Sequence, residues 1–206
     1  MSGQNPFNYN GSGLIAMIGQ DCVAIGTDTR LGVSLQTVGT NFQKVFIMQD
    51  NIIMGLAGLA TDIQTFHKKI QYKLNMYKLR ENRDMLPRTF ASLVGTTLYE
   101  HRFGPFFVTP IVIGLQDGQP IIYNYDAIGT QTDTEKFAVI GSAGDNFHAL
   151  CEAYYKEGLG AEQLEDIVAN TLVSGLDRDI LAGWGGKVYV MTNDKITEKC
   201  LKTKLV

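Results

Sequence analysis

Apolar residues in this chain fall into short runs, then helical stripes, then runs, stripes and runs again. Residues 13–19 (GLIAMIG) and 21–27 (DCVAIGT) are two such runs, joined at Gly19-Gln20-Asp21, and read as a β-hairpin. Lys44–Met48 and Ile52–Leu56, separated by Gln49-Asp50-Asn51, predict a second hairpin. These strands are apolar over nearly their whole length, so the sheet they form is expected to be covered on both faces. A helix is expected from Thr61-Asp62, both good N-cap residues. Its apolar residues Ile63, Phe66, Ile70, Leu74 and Tyr77 follow offsets of 0, 3, 7, 11 and 14, one face of a helix. A second helix starts at Pro87, buries Phe90, Leu93, Val94, Thr97 and Leu98, and stops at Gly104-Pro105.

Strands resume at Phe107–Leu115 and Pro120–Tyr125 around an Asp117-Gly118 turn, followed by Phe137–Ile140. Two more helices follow, at about Asp145–Tyr155 and Ala161–Leu176; the second carries Leu164, Ile167, Val168, Thr171 and Leu172 at helical spacing. Lys187–Thr192 and Lys195–Leu201 close the chain as strands around Asn193-Asp194. Grouped strands alternating with grouped helices are not the pattern of a doubly wound parallel sheet. They point to an α+β layered domain with sheets inside and helix pairs outside. No linker, repeat or low-complexity segment interrupts the pattern, so residues 1–206 are expected to form a single domain.

Composition narrows the function classes. The chain is 45% hydrophobic and 19% charged, with a net charge of −3. That balance suits a globular domain and makes nucleic acid or an anionic membrane unexpected partners. Lys68, Lys69, Lys73, Lys78 and Arg80 cluster on one predicted helix, as on a solvated or subunit-facing surface. Cys22, Cys151 and Cys200 are three in number and cannot all pair within the chain, which points to a reducing compartment. No signal peptide is expected, so the Asn10-Gly11-Ser12 sequon reads as a turn. His67, His101 and His148 lack metal-ligand spacing, and neither a metal nor a cofactor is expected. Phosphate-cradling glycine loops and a Gly-x-Ser-x-Gly elbow are absent from the sequence. Asp177 and Asp179 flank Arg178 and could form an acid–base pair or, more simply, an ion pair with the arginine.

A more specific constellation remains. Ser12 opens a strand, Asp28 and Arg30 end the next, Lys44 opens the third, and Gly55-Leu56-Ala57-Gly58 leads into the first helix. CVAIGTDTRLG (22–32), FQKVF (42–46), GLAGLATD (55–62), LYEHRFGPFFVTPIV (98–112), IGSAG (140–144) and LDRDILAGWGGKVYV (176–190) carry a resemblance over essentially the whole chain. They resemble the proteasome beta subunits, which are N-terminal nucleophile hydrolases.

The resemblance implies a four-layer α-β-β-α sandwich of two antiparallel sheets, the Ntn-hydrolase fold. In active members an exposed N-terminal threonine uses its own α-amine as base for its hydroxyl. By matching motifs that threonine falls on Ser12, its tuning aspartate on Asp28, the lysine on Lys44, and the oxyanion glycine on Gly58. The later serine falls on Ser142, the second aspartate on Asp179, and a further family serine on Ala182. Three departures stand out: serine replaces threonine, Gly13 and Leu14 follow it, and Ala182 lacks a hydroxyl. Read as one chain from Met1, Ser12 has an amide nitrogen with no basic lone pair. We therefore expect residues 1–11 to be a short unprocessed extension, the catalytic positions to be vestigial, and Asp28, Lys44 and Asp179 to form a satisfied buried network. The alternative is an active serine- or threonine-type hydrolase that uses Ser12 after processing.

The implied role is a non-catalytic structural subunit of the beta ring of the 20S core particle, in ATP-dependent, ubiquitin-linked protein degradation in cytoplasm and nucleus. The implied partners are other beta subunits, beta type-2 and beta type-4 above all, alpha-ring subunits, and unfolded polypeptide substrate. Tyr125–Thr130 matches a segment that lines a neighbour's substrate pocket, with Asp126 as the expected contact and Thr130 where relatives often have cysteine.

Overall fold

The protein is described here from a computed structural model, which describes residues 5–203. A 3-10 turn at Pro6–Asn8 precedes β1 (Gly13–Ile18) and β2 (Cys22–Asp28). Next come β3 (Leu31–Val33), β4 (Gln36–Gly39), β5 (Val45–Gln49), β6 (Ile52–Gly58), α1 (Ala60–Glu81) and α2 (Pro87–Tyr99). The second half holds β7 (Val108–Gln116), β8 (Gln119–Tyr125), β9 (Gln131–Thr134), β10 (Phe137–Gly141), α3 (Gly144–Tyr154), α4 (Ala161–Leu176), β11 (Gly186–Thr192) and β12 (Ile196–Leu201). One sheet has the order β10-β1-β2-β11-β12, a second β5-β6-β7-β8-β9, and β3 pairs only with β4. All pairings are antiparallel.

The layering follows from the alternation of side chains along each strand. Leu14 and Ala16 of β1 point into the core between the sheets, where Val23, Ile25, Ile53, Ala57, Ile111 and Ile113 meet them. Ile15 and Met17 point the other way, onto Phe147, Cys151, Leu164, Val168 and Leu172 of α3 and α4. On β6, Ile52, Met54 and Leu56 face Ile63, Phe66, Ile70, Phe90 and Val94 of α1 and α2. Both faces of both sheets are therefore apolar, as the unbroken runs require. The architecture is the expected α+β sandwich, helices–sheet–sheet–helices. Gly55 lets the sheets approach closely: a Cβ there would lie 2.6 Å from Leu14 Cδ2 and 2.7 Å from Ile25 Cδ1.

The helical stripes match expectation, with Ile63, Phe66, Ile70 and Leu74 buried on α1. The start of α1 differs. The helix begins at Ala60, because Asp62 is not the cap; its Oδ2 accepts from the backbone N–H of Phe107 at 2.8 Å and ties the helix to the start of β7. Helix α2 ends at Tyr99, and a run of turns fills the space to Gly104. Strands β3, β4 and β9 are only three or four residues long, too short for periodicity to reveal them. On the basic face of α1, Lys73 pairs with Glu100 at 2.9 Å and Lys78 with Asp84 at 2.8 Å. The three histidines lie apart: His67 stacks on Phe46, His101 lies tilted against Phe106, and His148 meets the edge of Phe137.

Candidate functional site

Strand ends and one loop converge on Ser12. Ser12 directly precedes β1, Asp28 is the last residue of β2, Lys44 directly precedes β5, and the loop between α4 and β11 supplies Asp179 to Gly183. Lys44 is held in register by its carbonyl, which accepts from Leu56 N–H at 2.8 Å. Its side chain is 1% exposed and that of Asp28 is fully buried. The ammonium donates to Asp28 Oδ1 at 2.6 Å and to the carbonyl of Gly11 at 3.1 Å. Asp28 also accepts from Gly13 N–H (2.9 Å, Oδ1) and Gly183 N–H (3.1 Å, Oδ2). Burial pushes the Lys44 ammonium below the usual lysine range, and the Asp28 carboxylate opposes that shift. Two of the three ammonium protons and both Asp28 oxygens are thus partnered, as a buried ion pair requires.

Asp179 belongs to a second cluster. It makes no direct contact with Lys44; it takes the hydroxyl of Ser142 at 2.7 Å and the N–H groups of Ala182 (3.1 Å) and Leu181 (3.4 Å). The expected three-membered network is thus two linked clusters, because the short loop after α4 turns the Asp179 carboxylate back onto its own backbone. Nor does Arg30 pair with Asp28. Its buried guanidinium donates to the carbonyls of Leu181 and Ser34 and to the Thr37 hydroxyl, stapling the β3–β4 hairpin to that loop. Its space is reserved by Gly32, where a Cβ would lie 2.1 Å from the guanidinium.

Ser12 is completely buried. Its N–H donates to Ser142 Oγ at 3.3 Å; its carbonyl accepts from Ala143 N–H (3.4 Å) and lies 3.1 Å from Ser142 Oγ, whose one proton points to the closer Asp179 carboxylate. Its own hydroxyl oxygen has no hydrogen-bond partner among the described residues. With Gly11 attached, the Ser12 nitrogen is an amide, and the Lys44 ammonium is engaged by Asp28 and Gly11. The arrangement therefore gives the hydroxyl no hydrogen-bonded base. Gly58 closes β6 at φ +124°, with the carbonyl of Phe107 2.1 Å from where a Cβ would be. The Ala182 methyl packs in the core cluster beneath α4.

The sequence reading missed Asn10, which it took for a turn residue. Asn10 is 8% exposed and bridges two elements: Nδ2 donates to the Gly32 carbonyl at 2.7 Å, and Oδ1 accepts from Ala60 N–H at 2.8 Å. Helix α1 has no side-chain cap from its own N-cap residue, Leu59, so this oxygen satisfies its first N–H from fifty positions away. No local pattern announces a cap at that sequence separation.

Comparison with known proteins identifies the family to which this fold belongs. Residues 8–191 match the model of the family described as "Proteasome subunit". The chain belongs to the proteasome subunit family. Proteasome subunit beta type-3 of Picea mariana is 45% identical over 200 residues, covering 97% of this chain and 98% of the relative. The proteins of the same name from Drosophila melanogaster (43%; 96% and 97% covered) and Saccharomyces cerevisiae (40%; 97% and 98% covered) are similar over nearly their full length.

Asp126 of this proteasome subunit lies apart from Ser12, after β8. Its Oδ1 accepts from the N–H groups of Thr130 (2.7 Å) and Ile128 (3.0 Å), closing a tight loop. Partial burial raises its pKa, but hydrogen bonds from the backbone and side chain of Thr130 and from the Ile128 and Gly129 N–H groups together outweigh that and hold the carboxyl below its usual range. The residue is exposed, and its loop borders a shallow cavity with Thr109, Asn124 and Thr132.

Proposed function

We propose that this chain is a non-catalytic structural beta subunit of the 20S proteasome core particle, of the type-3 kind, working in cytoplasm and nucleus. The observation that carries this reading is the buried, amide-linked Ser12, whose hydroxyl lacks a base while Lys44 is engaged by Asp28 and Gly11. The names of the relatives support the subunit type. Ser12, Asp28, Lys44, Gly58, Ser142, Asp179 and Ala182 then serve packing and polar satisfaction. Large exposed apolar side chains, among them Phe103 (98%), Leu79 (78%) and Ile180 (74%), suit burial against other subunits.

The test is Ser12→Ala in the assembled particle. All peptidase activities should be unchanged, and N-terminal sequencing of the native subunit should read residues upstream of Ser12. Loss of one activity, with Ser12 as the native N-terminus, would establish processing and catalysis instead.

The proposal extends to a neighbour. Asp126 and Thr130 line the substrate pocket of the adjoining beta type-2 subunit, with beta type-4 on the other side and the alpha ring above. One Asp126 oxygen is committed to the loop, which fixes the carboxylate's direction. The exposed carboxylate would favour basic substrate residues by roughly 0.5–1 kcal/mol. Asp126→Asn should weaken cleavage after basic residues about two- to fivefold and leave other activities unaltered. Unchanged kinetics for basic peptides would remove Asp126 from the pocket.

A further inference from the structure

The loop that carries Asp126 rests on α2 at two points. Tyr125, 3% exposed, donates its hydroxyl to the Ala91 carbonyl at 2.7 Å. Burial pushes the Tyr125 phenol well above its usual range, so it remains a donor. Four residues along the same helix face, Gly95 meets the other end of the loop. A Cβ on Gly95 would lie 3.3 Å from the Tyr125 ring and 3.4 Å from the Gly129 carbonyl. Gly129 itself turns at φ +91°, where a Cβ would lie 2.4 Å from the Gly95 carbonyl. Two backbones therefore touch where neither bears a side chain. Glycine is a poor helix former, and this contact gives its presence inside α2 a geometric reason. Between the two anchors the loop is closed on itself. Asp126 N–H donates to the Thr130 carbonyl (3.2 Å), Gly129 N–H to the Asp126 carbonyl (3.3 Å), and Asp126 Oδ1 takes the Ile128 and Thr130 N–H groups. A displacement at Gly129 is thus passed on to the carboxylate rather than absorbed.

From these contacts we infer that Gly95 and Tyr125 are positioning residues: helix α2 sets where the Asp126 carboxylate stands, and so tunes the preference for basic substrate residues at the adjoining subunit. Neither residue touches substrate; both act through the loop. This rests on the reading of Asp126 as part of that neighbour's pocket. It assigns a role in a neighbour's specificity to a helix interior, which carries no chemistry of its own. The lever is stiff because each end is backbone: the Ala91 carbonyl belongs to a helical turn, and the Gly95–Gly129 contact has no side chain that could rotate aside.

The test is Gly95→Ala in the assembled particle. Alanine favours the helix, so assembly should not suffer, while the new methyl pushes the Gly129 carbonyl and the Tyr125 ring by a few tenths of an ångström. KM for peptides cleaved after basic residues should rise about twofold, with kcat and the other activities unaltered. The larger Gly95→Val should approach the roughly two- to fivefold effect of Asp126→Asn. Tyr125→Phe, which removes only the bond to Ala91, should fall between wild type and Gly95→Val. Added to Asp126→Asn, Gly95→Ala should change nothing further, because its route runs through that carboxylate. A merely structural role would lower all activities together and leave the ratio of basic to other substrates fixed; that result, or full additivity with Asp126→Asn, would overturn the inference. Hydrogen exchange separates it from the pocket reading. The Ile128 and Thr130 amides, which close the loop on Asp126, should exchange at least about threefold faster in Tyr125→Phe and Gly95→Val. Unchanged exchange in both would overturn the anchoring whatever Asp126 does. Faster exchange with no effect of Asp126→Asn on basic peptides would overturn the pocket reading and leave α2 as the anchor of the loop.

Discussion

Replacing Lys44 with methionine should destabilise this subunit by about 3–5 kcal/mol, the cost of leaving a buried charge without its partner. Methionine matches the apolar stem of lysine, so the loss reports the ammonium more than a cavity. The Asp28 carboxylate, fully buried, would keep two backbone donors and lose its cation at 2.6 Å. The Gly11 carbonyl would lose its donor as well. Denaturant unfolding of the purified chain, or assembly yield where the free chain is not stable, measures the effect. Lys44→Met combined with Asp28→Asn should lose less than Lys44→Met alone, because the unpaired charge is gone. A single-variant loss below about 1 kcal/mol would mean that the pair is not the closed unit described here.

Gly58→Ala should lower stability by about 2–5 kcal/mol, combining backbone strain with overpacking. Gly58 sits at φ +124°, which side chains adopt only under strain, and its Cβ would fall 2.1 Å from the carbonyl of Phe107. Neither partner can rotate away, since the backbone alone fixes a Cβ, the Phe107 oxygen is itself backbone, and the next contact, Leu59 N–H to Phe107 O at 2.8 Å, fixes their spacing. The matching control is Gly104→Ala, where a Cβ meets nothing within 4 Å; it should stay within about 0.5 kcal/mol of wild type. The contrast separates the geometric need for glycine at 58 from the oxyanion role that the family's chemistry would assign it. If Gly58→Ala were as mild as the control, the junction of β6 and α1 would be looser than its geometry requires.

The sequence by itself determined the layered α+β architecture. Apolar runs that ignore the strand period can only be strands covered on both faces, and β1 shows it: Leu14 and Ala16 enter one core, Ile15 and Met17 the other. The stripes of α1, α2 and α4 were equally legible, because burial on one helical face leaves a periodic trace. The residues converging on Ser12 could be named from motifs. What they do to one another could not. Only the tertiary structure decided that Lys44 is shared between Asp28 and Gly11, that Asp179 turns to Ser142, and that Arg30 binds carbonyls rather than Asp28. Only it revealed that Asn10 caps a helix fifty positions away. Hydrophobic periodicity encodes which face of an element is buried, a property of neighbours in sequence. Polar pairing depends on placing atoms to within a few tenths of an ångström across residues brought together by the packing of separate layers, and no local pattern records that.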